Sequence, residues 1–80
     1  MIENYKNLVM AVILRTYEDL VSAYKKYYEY LANEHYRAAE RCMSNIRYLE
    51  GWLEDASPDW MGKRLVAAAR EKGKEEAGDE

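Results

Sequence analysis

Reactive and metal-ligating side chains are scarce in this chain of 80 residues, which has one cysteine, Cys42, and one histidine, His35. On a helix, a separation of seven positions is two turns, which sets both on one face about 10 Å apart. A thiol and an imidazole at that distance do not form a nucleophile–base pair, which requires hydrogen-bond contact. Neither residue has a carboxylate at a spacing that completes a triad, and no Glu-x-x-His or Cys-x-x-Cys pattern supplies a metal site. Cys42 falls between Ala39 and Ile46 at helical intervals, the setting of a small core residue. The sequence therefore points away from an enzyme and calls for no catalytic residue, metal or cofactor.

Two charged constellations remain. Glu50, Glu54 and Asp55 gather where a helix should be ending, although partial negative charge accumulates there and like charges at i and i+4 repel. Solvated surface accounts for them, and so does an acidic patch facing a basic partner, since breaches of local consistency concentrate at functional positions. Lys63, Arg64 and Arg70, followed by Lys72 and Lys74, give the last third of the chain a basic helix. Such a helix could lie on phosphates as the second helix of a helix-turn-helix, making the chain a small nucleic-acid-binding transcriptional regulator. Against this, residues 51–57 form a longer joint than the usual three or four residues, and no Asn, Gln or Ser follows Asp59 to read bases. Nucleic acid is thus the alternative partner and a protein the expected one. The net charge of −3 is too mild for a polyanion or a general phosphate binder.

The aromatic residues point the same way. Eight tyrosines and two tryptophans with no phenylalanine suit half-buried positions and interfaces better than a closed core. Tyr30 and Tyr48 fall off the apolar faces, and with Glu50, Glu54 and Asp55 they form the expected partner-binding set.

These side chains must be positioned by helices. Met10, Ile13, Tyr17, Leu20, Tyr24, Tyr27 and Leu31 recur at steps of three and four, with Leu14, Val21 and Tyr28 widening the stripe. The spacing predicts a helix from about residue 3 to 31 whose apolar face is broad enough to meet more than one neighbour. Asn33 is the only local stop, so a tight hairpin is expected at residues 32–34; one continuous helix through residue 55 is the competing possibility. A second helix, about 35–55, carries Ala39, Cys42, Ile46, Leu49 and Leu53 inward, its small residues facing the tyrosine-rich end of the first. Gly51 weakens it and is expected to allow a close approach. Ser57-Pro58-Asp59 reads as cap, first turn and dipole partner of a third helix, about 58–72, with Trp60, Met61, Leu65 and Ala68 inward. Residues 73–80 hold two glycines, four acids and no large apolar residue, and are expected to be a disordered acidic tail.

The predicted fold is all-α: one domain over residues 1–72, a long helical hairpin with a shorter third helix packed across its open end as a three-helix bundle. A core this small usually contributes only about 3–5 kcal/mol without a disulfide, metal or partner subunit, and the first helix carries more apolar stripe than two shorter helices easily cover. Self-association as a homodimer is therefore expected. The apolar run at residues 7–14 is far short of the roughly 20 residues a bilayer requires. No basic segment with a small-residue cleavage site opens the chain, and a lone thiol fits a reducing compartment, so the expected location is cytoplasmic, off the membrane.

The segment LEGWLEDASPDWMGKRLV, residues 49–66, resembles the C-terminal part of small orphan helical proteins encoded by phages and prophages of Firmicutes. Those pair an aromatic-rich helix end with an Asp- and Gly-containing turn and a short Leu-rich basic helix. Trp52, the turn at 57–59, Gly62, Leu65 and Val66 match that outline. The resemblance implies a mobile-element accessory protein and names no target; for a phage-encoded chain of this kind, an adaptor or inhibitor of a host protein, such as an anti-CRISPR or other host-defence inhibitor, is the expected form. It implies no catalytic motif.

Overall fold

A computed structural model describes residues 2–78, with side chains described from residue 8 onward. Three helices account for nearly all of it: α1 (Ile2–Ala32), α2 (Tyr36–Ala56) and α3 (Asp59–Ala77). The chain is all-α, and its helices pack together as a three-helix bundle. At about 1.5 Å per residue, α1 alone accounts for most of the 49 Å long dimension. The radius of gyration, 13.9 Å, exceeds the roughly 12 Å of a compact chain of this length.

The core follows the α1 stripe. Ile13, Leu20 and Tyr24 are buried with Val21 and Ala23, and they meet Ile46 and Leu53 of α2 and Ala69 of α3. Leu20, Ile46 and Leu53 are wholly enclosed and form the centre. Met10 and Leu14, expected in the stripe and on its flank, are instead exposed: Leu14 lies between the buried Ile13 and Thr16 but on the face of α1 turned from α2 and α3, and Met10 lies in an open groove beside Trp60.

The hairpin forms at residues 33–35, and the turn closes on a neighbour of the residue expected to close it. Glu34, not Asn33, takes the left-handed conformation, with φ 60°. Its N–H donates to Leu31 O at 3.1 Å and that of His35 to Tyr30 O at 2.8 Å, the paired bonds of a Schellman motif. The Asn33 side-chain amide donates to Glu29 O at 2.9 Å, the same carbonyl that accepts the Asn33 backbone N–H at 3.1 Å. The His35 and Tyr30 rings stand 6.3 Å apart, supplying the side-chain contact that accompanies this cap.

The second joint also departs from expectation. Ser57 ends α2, its N–H donating to Leu53 O at 3.0 Å, while Pro58 occupies the cap of α3 with no side-chain hydrogen bond. Ser57 is buried and its hydroxyl has no partner, so it does not cap α3. Asp59 is the first helical residue, where it complements the dipole.

Instead of crossing the open end, α3 lies lengthwise against α1 and parallel to it: Met61 neighbours Ile13, Gly73 meets Val21 and Tyr24, and Ala77 lies near Tyr30. The inward row is Gly62, Ala69 and Gly73, with Leu65 and Val66 half-buried; Trp60 and Ala68, expected inward, are exposed. Gly73 explains the difference. A Cβ there would stand 2.6 Å from Tyr24 Cβ and 2.9 Å from Val21 O, so the helices approach through a position without a side chain. Residues 73–77 consequently continue α3 instead of beginning the expected disordered tail, and residues 79–80 lie outside the described residues. Conversely, Gly51 has nothing within 4 Å of its missing Cβ and accommodates no close approach.

Candidate contact surface

The two residues with reactive side chains face different neighbours. Cys42, half-buried on α2, donates from Sγ to Ala23 O across the α1–α2 seam at 3.1 Å, and burial pushes its thiol pKa up. A thiol held protonated is a poor nucleophile and a poor metal ligand. His35 is exposed at the hairpin with its ring against Tyr30. Among the described residues no three His, Cys, Asp or Glu side chains converge as a metal site would require.

The best-connected polar group joins all three helices. Tyr24 of α1 donates its hydroxyl hydrogen bond to Glu50 Oε2 of α2. Arg70 of α3 donates from Nε to the Tyr24 hydroxyl oxygen at 3.4 Å, sets Nη2 3.8 Å from Glu50 Oε2, and lies 5.6 Å above the Tyr24 ring centroid. Burial and the Glu50 carboxylate raise the Tyr24 pKa above its ordinary value, and the hydrogen bond to Tyr24 raises that of Arg70. This cluster is a clasp: it satisfies a buried phenol and half-buried carboxylate and links side chains of all three helices.

The clasp engages one residue of each expected binding set. Glu50 was expected on a partner-facing patch, yet its side chain is only 20% exposed and turned into the seam. Arg70 was expected on phosphates; its guanidinium folds back on Tyr24 and Glu50 while the side chain remains 54% exposed. Their neighbours in those sets stay outside: Glu54, Asp55, Lys63 and Arg64 are exposed, and Tyr48 is 68% exposed. Tyr30 is half-buried beside His35 at the opposite end of the bundle, so the five residues of the expected partner set do not form one surface.

A different surface is present where α1 passes the α2–α3 joint. Leu8, Met10, Val12 and Leu14 are exposed there, with Trp52 beside Val12 and Trp60 beside Met10. Between α1 and the start of α3 lies an open, mainly apolar groove of about 590 Å³, lined by Val9, Met10, Ile13, Pro58, Trp60 and Met61. The sequence contained the signal for this surface in the uninterrupted apolar run from Leu8 to Leu14. Such a run has no polar face to turn outward, so part of it must meet solvent or a partner. No protein-family model matches the chain, and neither the search of curated proteins nor that of solved structures finds a match.

Proposed function

We propose that this chain is a non-enzymatic helical module that acts by protein contact, through the apolar end formed by residues 8–14, Trp52 and Trp60. One observation carries this: large apolar side chains that could pack inward are clustered outward at one end, Leu8 63%, Leu14 58% and Trp60 70% exposed. Contiguous apolar patches on a small domain mark interaction sites, and tryptophan is enriched among the residues that dominate binding energy. The resemblance of residues 49–66 to small phage proteins favours an accessory protein of a mobile element that binds or inhibits a host protein, a host-defence inhibitor among them. A nucleic-acid regulator acting through α3 has less support, because Arg70, although 54% exposed, is shared with Tyr24 and Glu50, and the other cations of α3 are interspersed with the exposed acids Asp59, Glu71, Glu75 and Glu76.

Site-specific photo-crosslinking in bacterial cells tests the proposal. A photoreactive residue at position 14 or 60 should give defined protein adducts, and one at the exposed position of Glu40 on the polar side of α2 should not. If positions 14 and 60 yield no more adducts than position 40, the apolar end is not a contact surface.

A further inference from the structure

We infer that the occupant of this apolar end is a second copy of the chain, bound by antiparallel pairing of the two α1 segments 8–14 about a two-fold axis near Ala11. The inference rests on the contact surface proposed above and names its partner.

The segment itself supplies the first ground. Leu8 to Leu14 is apolar around the whole helix circumference, and helices of that kind are covered on all sides. Within one chain Val9 and Ile13 turn toward α2 and α3, Met10 and Val12 lie on the two flanks beside Trp60 and Trp52, and Leu8, Ala11 and Leu14 face away. Size gives the second ground. The exposed parts of Leu8, Met10, Val12, Leu14, Trp52 and Trp60 amount to roughly 700 Å², close to the about 800 Å² per partner of a standard specific interface.

Charge fixes the orientation. The exposed row continues from Leu8 and Ala11 to Arg15 and Glu18. Parallel pairing would set Arg15 against Arg15 and Glu18 against Glu18. Antiparallel pairing centred on Ala11 sets Leu8 against Leu14 of the other copy and carries the two Arg15 side chains, and the two Glu18 side chains, to opposite ends of the seam. The small side chain of Ala11 at the axis lets the helices approach to about 8 Å, the near limit of helix packing. The two-fold also places each flank beside its counterpart, so Met10 and Trp60 of both copies close over one side of the seam and Val12 and Trp52 over the other. A membrane surface is the poorer occupant, because interfacial helices carry a cationic polar face and this segment has none.

Sedimentation of the full chain from low to high micromolar concentration should reveal a species of twice 9.4 kDa. Leu14→Glu puts a carboxylate against the apolar seam twice by symmetry, and should raise the dimer dissociation constant at least about a hundredfold with helicity by circular dichroism unchanged. In a Cys42→Ser background, a short bifunctional maleimide should join two copies through Ala11→Cys and not through Tyr48→Cys. A wild-type chain that stays monomeric at high micromolar concentration overturns the inference, as does a dimer indifferent to Leu14→Glu or one bridged through Tyr48→Cys instead. If the chain is monomeric while positions 14 and 60 still crosslink to a different protein, the second copy is wrong and the contact surface stands. If neither position gives any adduct, both fall.

Discussion

Glu34 holds a backbone conformation that costs an L-residue roughly 1–2 kcal/mol and a glycine almost nothing. Replacing Glu34 by Gly should therefore stabilise the fold, by about 0.5–1 kcal/mol once the added freedom of the unfolded chain is deducted; the urea midpoint reports it. Ser57 permits an equally sharp test. A capping serine loses about 1 kcal/mol on mutation to alanine, but a buried hydroxyl with no partner is itself a cost. Ser57→Ala should be neutral or stabilising, and a loss near 1 kcal/mol would show that the hydroxyl finds a partner after all. The third residue-scale expectation concerns Tyr24. Its pKa is raised in the folded state, by burial first and by Glu50 second, so the folded chain holds this proton more tightly than the unfolded one. The resulting stabilisation is complete below the ordinary tyrosine pKa of about 10 and disappears as pH rises through the higher folded value. Tyr24→Phe should cost about 1–2 kcal/mol at neutral pH through the lost hydrogen bond to a carboxylate, and should remove this contribution to alkaline destabilisation, as urea titrations from pH 8 to above pH 10 would show. At this scale residue types were legible and partners were not. Asn33 marked the hairpin, but its side chain closes on Glu29 O and passes the left-handed position to Glu34. Glu50 looked like surface charge, and the pairing of the exposed Arg70 with it was invisible, because nothing local signals that α3 returns alongside Tyr24.

At the scale of elements, periodicity placed α1 and α2 within a residue or two, since both carry large apolar residues on a single face. It failed on α3, whose seam is made of Gly62, Ala69 and Gly73: residues with little or no side chain leave no hydrophobic period to detect. The expected end of α3 at residue 72 falls just before Gly73, a residue type that commonly ends helices, but its use here is close approach. The two helix-interior glycines 51 and 73 consequently predict opposite signs for the same substitution. Gly51→Ala gains helix propensity and meets open space, so it should stabilise by about 0.5–1 kcal/mol. Gly73→Ala has the same gain but drives a methyl to 2.6 Å from Tyr24 Cβ and 3.0 Å from Lys25 N. Overpacking of this kind costs about 1–3 kcal/mol, so the net effect should be destabilising. It should also loosen the clasp, because Arg70 sits one turn away on the same helix. Thermal melts of both variants decide the matter, and a stabilised Gly73→Ala would mean that α3 does not pack this closely.

At the scale of the whole molecule, the distribution of charge separates contact with protein from contact with nucleic acid. The chain carries −3 overall, and its basic helix begins beside an acidic joint in which Glu54, Asp55 and Asp59 are exposed close to Lys63 and Arg64. Affinity for duplex DNA grows with the number of phosphates neutralised and falls steeply with salt, and the exposed cations of α3 are offset by exposed acids, Glu54, Asp55 and Asp59 at its start and Glu71, Glu75 and Glu76 along it, so they supply little of it. The purified protein should show no measurable binding to duplex DNA at physiological salt, by fluorescence anisotropy with a labelled duplex. Sub-micromolar binding that is lost in the Lys63→Glu, Arg64→Glu double variant would reverse the assignment and make α3 a nucleic-acid helix. Arg70→Glu gives the complementary result. A carboxylate there would face Glu50 across the seam in place of a cation 3.8 Å away, so its effect should be lower thermal stability, while the same substitution at Lys63 should leave the melting temperature nearly unchanged because that residue is exposed. A basic helix serving phosphate would show the reverse order, with Arg70 and Lys63 alike expendable to the fold and both required for binding.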